Sequence, residues 1–232
     1  MRYGDWKPLY DAVADDLGIS RDEDVRAAER LDEVLSRSSR NRVDDRRHRG
    51  DFADETAVVV GNAPCLDAEL RDEDTAPEPG ELVIVADAAV ERLVDHGYVP
   101  DFVSTDLDGC PEETADLSHD EATVFVHAHG DNIDLMENRL PEFDLSNVVG
   151  TTQVDPSRFD SLHNFGGFTD GDRAAYIADE LGARRIRLIG FDFDDPDVDD
   201  EKRVKLRWAR RLLRILTEER ERDGGSVLRG PM

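Results

Sequence analysis

The run Asp101-Phe102-Val103-Ser104-Thr105-Asp106-Leu107-Asp108-Gly109 places two carboxylates at i, i+2 where an apolar strand pattern ends, with glycine directly after. If the strand continues through them, both side chains point the same way. Like charges that close raise each other's pKa and oppose folding, and a divalent cation removes the cost. Mg²⁺ is usually held by one or two carboxylates plus substrate phosphates, so the ligand that goes with such a pair is a nucleotide or polyphosphate. An Asp-Gly turn in an Asp-rich chain is the plainer alternative. Asp87 and Asp131 are the acids that would complete the pocket.

Four other segments carry chemistry. Gly61-Asn62-Ala63-Pro64 reads as a tight strand-to-helix turn, where glycine lets backbone approach a phosphate and the next helix offers free amides. It is neither a Walker A sequence nor GxGxxG. His127 and His129 alternate at a strand end near Asp131. With no third nitrogen or sulfur ligand for zinc, hydrogen bonding to phosphate or water is the expectation there. Asn164-Phe165-Gly166-Gly167-Phe168-Thr169-Asp170-Gly171-Asp172-Arg173 opens a helix, with Thr169 or Asp170 as N-cap. Its glycines and Arg173 also suit a planar, hydrogen-bonding ligand or a phosphate. Lys202 and Lys205 share a helix face at i, i+3. They either pair with Asp199, Asp200 or Glu201 or supply the local positive charge that a triphosphate needs on so acidic a chain.

The elements that must position these residues are readable from periodicity. Trp6, Tyr10, Val13 and Leu17 predict a helix stopped at Gly18, and Ser20-Arg21-Asp22-Glu23 has the form of a capping box for a second helix carrying Val25, Ala28, Leu31 and Leu35. Ser36 to Asp54, with the basic cluster Arg46-Arg47-His48-Arg49, reads as a linker. Apolar runs at 57–60, 82–86, 101–104, 123–127, 147–149 and 186–189 then alternate with helical segments at 88–96, 132–140 and 172–181, and a long charged helix spans 201–223. Buried runs alternating with helices predict an α/β fold: a mainly parallel sheet covered on both faces, with a small N-terminal helical annex. We divide the chain into 1–50, annex and linker, and 51–232, the α/β domain. Ligands of open α/β sheets bind outside the carboxyl ends of the strands. The unusual polar residues fall there: Gly61-Asn62, Asp87, Asp106 and Asp108, His127 to Asn132, Gly150-Thr151-Thr152-Gln153, and Gly190-Phe191-Asp192.

Composition sets outer bounds. The 232 residues hold 55 Asp plus Glu against 29 Lys plus Arg, a net charge of −26, which excludes nucleic acid and anionic membrane as general partners. The acids sit within apolar periodicity, so they read as a solvated surface rather than a disordered chain. Few lysines and a pI near 4.4 predict adaptation to a salt-rich cytoplasm. Met1 to Tyr10 lacks a signal-peptide core and no stretch is long enough to span a bilayer, so a cytoplasmic location is expected. Cys65 and Cys110 lack CxxC spacing and imply neither zinc nor a disulfide scaffold. The oligomeric state, homodimer included, and the role of the N-terminal helices are left open.

Taken in order, Gly61-Asn62-Ala63-Pro64, Ala86-Asp87, Pro100-Asp101-Phe102 through Gly109, His127 to Asn132, Asn164 to Arg173, and Gly190-Phe191-Asp192-Phe193 with Lys202 and Lys205 resemble the archaeal 6-hydroxymethyl-7,8-dihydropterin diphosphokinase family. The resemblance covers roughly residues 1 to 220. The acidic segment is also similar to that of thiamine pyrophosphokinases, whose fold the family is thought to share. Cys65 departs from the pattern, standing where serine commonly follows the turn. The resemblance implies Mg²⁺-dependent transfer of the terminal diphosphate of ATP to the hydroxymethyl group of a reduced pterin, releasing AMP, in folate or methanopterin synthesis. It assigns Asp87, Asp106 and Asp108 to catalysis and, with Asp131, to Mg²⁺. Gly61, Asn62, His129, Arg173, Lys202 and Lys205 go to ATP and its phosphates, and Asn164, Thr169, Asp170 and Asp192 to the pterin. A thiamine pyrophosphokinase is the nearest alternative; a glycosyltransferase-like protein or a non-catalytic nucleotide sensor stands further off.

Overall fold

The strands form where β-branched residues run without alternation. β1 (Thr56–Val60), β2 (Leu82–Ala86) and β4 (Thr123–Ala128) are buried along almost their whole length, as strands covered on both faces must be. They are joined by β3 (Phe102–Thr105), β5 (Val148–Thr152), β6 (Leu162–His163) and β7 (Arg185–Ile189). These elements come from a computed structural model that describes residues 1–37, 55–120 and 122–222. The predicted linker from residue 38 onward, its basic cluster Arg46-Arg47-His48-Arg49 and the division at residue 50 lie outside the described residues.

Every strand pairing is parallel, in the order β6-β5-β4-β3-β2-β1-β7. The chain steps from β1 outward to β6 in one direction and then crosses back to lay β7 on the far side of β1. Because such crossovers are right-handed, α3 (Leu66–Arg71), α4 (Val90–Asp95), α5 (Pro111–His119) and α6 (Ile133–Arg139) cover one face and α7 (Asp170–Glu180) the other. The reversal falls between β1 and β7, the switch point at which open α/β sheets take their ligands.

Gly61 and Gly190 meet there backbone to backbone. The Gly61 N–H donates to the Ile189 carbonyl at 2.9 Å and the Ala63 N–H to the Gly190 carbonyl at 2.8 Å. A Cβ on Gly61 would lie 2.6 Å from the Gly190 oxygen, and Gly190 sits at φ 70°. Only glycine tolerates both demands.

The N-terminal helices α1 (Tyr3–Leu17) and α2 (Arg21–Ser36) share the core of the sheet. Gly18 ends α1 at φ 69° as predicted, and of the predicted capping box the Ser20 half is present, its hydroxyl accepting from the Glu23 N–H. Trp6, Leu31 and Leu35 are fully buried, and α2 packs across β4, β5 and β6. Gly150 in β5 makes room, since a Cβ there would stand 2.6 Å from the Leu35 Cδ1. The C-terminal helix α8 (Asp200–Arg222) lies against α7, where the Tyr176 hydroxyl donates to the Leu212 carbonyl at 2.8 Å. It is tied to α1 by the Trp208 indole N–H, which donates to Asp16 at 2.9 Å. No helix among the described residues is long and apolar enough to cross a membrane.

Two elements differ from the sequence reading. β5, predicted to end at residue 149, runs on through Gly150-Thr151-Thr152, because ladder pairing with β4 overrides the turn-like composition. β6 has two residues, too few to produce a period.

Candidate active site

The acidic loop is shaped by Asp87, the residue directly after β2. Asp87 is fully buried, and its Oδ2 accepts from the Thr105 hydroxyl at 2.6 Å and the Gly109 N–H at 3.0 Å. Its Oδ1 accepts from the Cys110 N–H at 2.9 Å and the Thr114 hydroxyl at 3.4 Å. A carboxylate has about four acceptor sites, so these donors use its capacity. The loop does not extend β3 through the acid pair, as the i, i+2 argument presupposed. β3 ends at Thr105, and Leu107 takes a left-handed backbone at φ 73°, strained for a residue with a side chain. Two contacts hold it there: its fully buried side chain, and its N–H, which donates to the Thr105 hydroxyl at 2.7 Å. Gly109 is needed because a Cβ would stand 2.8 Å from the Ala88 nitrogen. The outcome is still convergence: carboxylate oxygens of Asp87, Asp106 and Asp108 lie within 4.8 Å of one another. Three oxygen donors with no sulfur or nitrogen among them suit a hard divalent cation.

His129 ties this group together. Its Nε2 lies 3.1 Å from Asp106 and its Nδ1 2.6 Å from Asp131. Burial alone would lower the His129 pKa, but the two carboxylates outweigh it and raise it, which favours the form in which both nitrogens donate. Burial likewise pushes Asp106 upward, yet hydrogen bonds from His129 and Asp108 hold its carboxyl well below the usual range. Asp108 goes the other way: burial and then Asp106 beside it push its pKa up to about 6. Asp131 is almost fully exposed and serves His129; it is not in the group of three.

These residues face a cavity of about 820 Å³ outside the strand ends. Gly61 to Pro64, Thr169, Asp170, Arg173, Asp192, Lys202 and Lys205 line it with Asp106, Asp108, His129 and Asp131. Asn62 turns its Oδ1 to Arg92, which also donates to the Ala63 carbonyl and Asp67 and so pins the turn. The predicted helix after that turn, α3, has only six residues, so the turn's own backbone faces the cavity. Arg173 is buried, donating to Asp170 at 2.6 Å and to the Phe168 carbonyl at 2.7 Å, with its Nε unpartnered. Burial and then the charge of Asp106 raise the Asp170 pKa well above the carboxylate range. Thr169 is the N-cap of α7, with Asp172 accepting from its N–H and hydroxyl. Lys205 pairs with Glu201 at 2.7 Å, whereas the Lys202 ammonium makes no ion pair among the described residues. Asn164 stays within its own loop, donating to the Val154 carbonyl at 3.2 Å and accepting from the Gly166 N–H, and does not line the cavity.

Sequence reasoning missed the contribution of α1 and α2. Leu17 to Ser20, Glu23 and Asp24 form a wall of the cavity. Fully buried Asp24 accepts from the Tyr10 hydroxyl, from the Gly130 N–H at 2.8 Å and from Gln153 Nε2 at 2.7 Å, joining the helices to the loops after β4 and β5. Asp24 is one of three acids in the first turn of α2, where such residues ordinarily favour the helix dipole, so nothing in the sequence sets it apart.

Fold and cavity define a doubly wound α/β protein whose strand ends gather carboxylates in a cavity that Lys202 and Lys205 of α8 also line. The chain belongs to the MptE-like family of 6-hydroxymethylpterin diphosphokinases, which it matches over residues 26–198. It is 40% identical to a protein of Methanothermobacter thermautotrophicus named 6-hydroxymethyl-7,8-dihydropterin pyrophosphokinase, an alignment covering 94% of this chain and 95% of that one. Proteins of the same name from Pyrococcus furiosus and Methanocaldococcus jannaschii are 38% and 31% identical, covering 93% and 95% of this chain and 94% and 98% of theirs.

Proposed function

We propose that the protein transfers the terminal diphosphate of ATP to the hydroxymethyl group of 6-hydroxymethyl-7,8-dihydropterin in a Mg²⁺-dependent reaction. The observation that carries the reading is the convergence of Asp106 and Asp108 with buried Asp87 at the edge of a cavity that Asp106 and Asp108 line together with Lys202 and Lys205, in a chain of this family. The primary alcohol attacks the β-phosphorus; the new O–P bond forms as the bond to the α-phosphate oxygen breaks, the hydroxyl proton is released and AMP leaves. No covalent enzyme intermediate is required, so the work of the protein is alignment and charge neutralisation.

Asp106 accepts one hydrogen bond at each carboxylate oxygen and so keeps a lone pair on each for Mg²⁺, Asp108 turns its carboxyl toward the same point, and Asp87 reaches it only by giving up a hydrogen bond to the loop it shapes. When bound, Mg²⁺ would neutralise phosphate charge and polarise the phosphoryl group under attack. Asp131 acts through His129, orienting its ring beside the acids and favouring its protonated form. Gly61 and Asn62 offer close backbone approach, and Lys202 and Lys205 balance phosphate oxygens. Thr169, Asp170 and Asp192 face the pterin, Asn164 shapes the loop leading to them, and Arg173 holds Asp170 in place.

Incubation with ATP, Mg²⁺ and either the reduced hydroxymethylpterin or thiamine tests the reading. AMP formed with the pterin alone supports it. AMP formed with thiamine alone transfers the assignment to that acceptor, and AMP with neither removes both.

A further inference from the structure

The glycine turn owes the way it faces the cavity to residues behind it. Gly61 to Pro64 line the cavity; Arg92 of α4, Asp67 of α3 and His96 do not. Arg92 Nη1 donates to Asn62 Oδ1 at 2.7 Å, to the Ala63 carbonyl at 3.1 Å and to the Asn62 carbonyl at 3.5 Å. Its Nη2 donates to Asp67 Oδ2 at 2.7 Å, and His96 Nε2 lies 3.0 Å from the other Asp67 oxygen. The guanidinium is therefore held by a carboxylate that is itself engaged on both oxygens, and one of its nitrogens collects three acceptors of the turn.

That arrangement decides which end of the Asn62 amide is left over. An asparagine side chain offers an acceptor on one side and two N–H donors on the other. Here the acceptor is committed to Arg92. The reverse orientation would set the amide NH2 against a guanidinium nitrogen, donor against donor, and lose a charge-assisted hydrogen bond. The end left over is Nδ2, which has no hydrogen-bond partner among the described residues, on an exposed side chain that lines the cavity. Phosphate oxygens are hydrogen-bond acceptors, so a polyphosphate is met favourably by Nδ2 and repelled by Oδ1.

We propose that Arg92 is a positioning residue for the donor nucleotide: it locks the Asn62 amide so that Nδ2 donates to a phosphate oxygen. Arg92 touches no substrate itself and sets the preference of the turn for an anion through Asn62. Asp67, held by His96, keeps the guanidinium in place. The inference rests on the proposed diphosphate transfer for the identity of the nucleotide, and it adds a residue to which that scheme gives no part.

Titration calorimetry with ATP and Mg²⁺, without acceptor, reads the donor affinity of wild type, Arg92→Leu, Asn62→Ala and the double variant, and steady-state assays add the pterin KM. Arg92→Leu and Asn62→Ala should each weaken ATP about tenfold. The double variant should bind within about twofold of the weaker single variant, because the first change already removes what the second removes. The pterin KM should stay within about twofold of wild type. Additive losses would show Arg92 acting by its charge or by packing rather than through Asn62, and would overturn the proposal. Unchanged ATP affinity in Arg92→Leu, or a pterin KM that rises as much as the ATP dissociation constant, would overturn it equally. Asn62→Asp covers the case in which Arg92→Leu does not fold: one carboxylate oxygen keeps the bond to Arg92 and the other faces the phosphates, so ATP should bind more weakly than to Asn62→Ala. Binding as tight as in Asn62→Ala, or tighter, would mean that the amide nitrogen does not meet the phosphates. If wild type binds ATP yet forms no AMP with the pterin, the diphosphate transfer fails and the calorimetric series still decides the role of Arg92; a wild type that binds no ATP removes both.

Discussion

Asp108 holds its proton to about pH 6 because burial and the neighbouring Asp106 both oppose its ionisation. A carboxyl whose pKa is raised by folding stabilises the native state below its unfolded pKa, and that contribution fades as pH rises through about 6. A cation bound by the pair must displace the same proton. The Mg²⁺ concentration for half-maximal turnover should therefore rise as the assay pH is lowered from 7 toward 5, approaching about tenfold per unit once the proton is held. Mg²⁺ titrations at fixed ATP across that range measure it; a flat requirement would detach Asp108 from the cation. Asp106→Asn and Asp108→Asn should each reduce Mg²⁺-dependent turnover on the order of 100-fold while keeping the wild-type circular dichroism spectrum. Near-normal activity in both would remove the metal assignment.

At the scale of elements, the strand-end loops are held from two sides, by Asp87 from within the sheet and by Asp24 from α2. Asp24→Ala would strand the Tyr10 hydroxyl, the Gly130 N–H and the Gln153 amide in a buried space, a loss on the order of 2–4 kcal/mol. The urea midpoint should fall by that amount with the slope unchanged; an unshifted midpoint would mean that water replaces the carboxylate. The contrast between these two aspartates explains what the sequence revealed. Asp87, Asp106 and Asp108 were readable because each follows a β-branched run, and the parallel sheet was readable because those runs recur between helical periods. Leu107 was not, since its left-handed backbone is held by its buried side chain and by Thr105, in a loop whose flanking residues bond to Asp87, 20 positions earlier in the chain. Asp24 was not, because its partners lie 14 to 129 positions away and its own neighbours are acidic too. Local pattern reports what a segment prefers, and a buried polar network is a property of segments brought together.

For the molecule as a whole, a net charge of −26 makes two demands that salt relieves together. Self-repulsion among surface carboxylates favours expansion of the chain, and the same field repels a polyanionic nucleotide from a cavity in which only a few cationic side chains are gathered. Screening shortens the range of both effects, the Debye length falling to about 3 Å at 1 M salt. Many surface ion pairs are also present, such as Arg21 with Asp11 and Asp15, but exposed pairs contribute little and weaken as salt is added, so they cannot reverse the trend. We expect the melting temperature to climb as KCl is raised from low concentration into the molar range, and the KM for ATP to fall over the first part of that range. Thermal melts and steady-state assays in the same KCl series separate the two effects. A melting temperature indifferent to KCl would show that the surface acids do not limit stability, and a KM for ATP that only rises would mean that the local cations of the cavity, rather than the field of the whole protein, govern nucleotide entry.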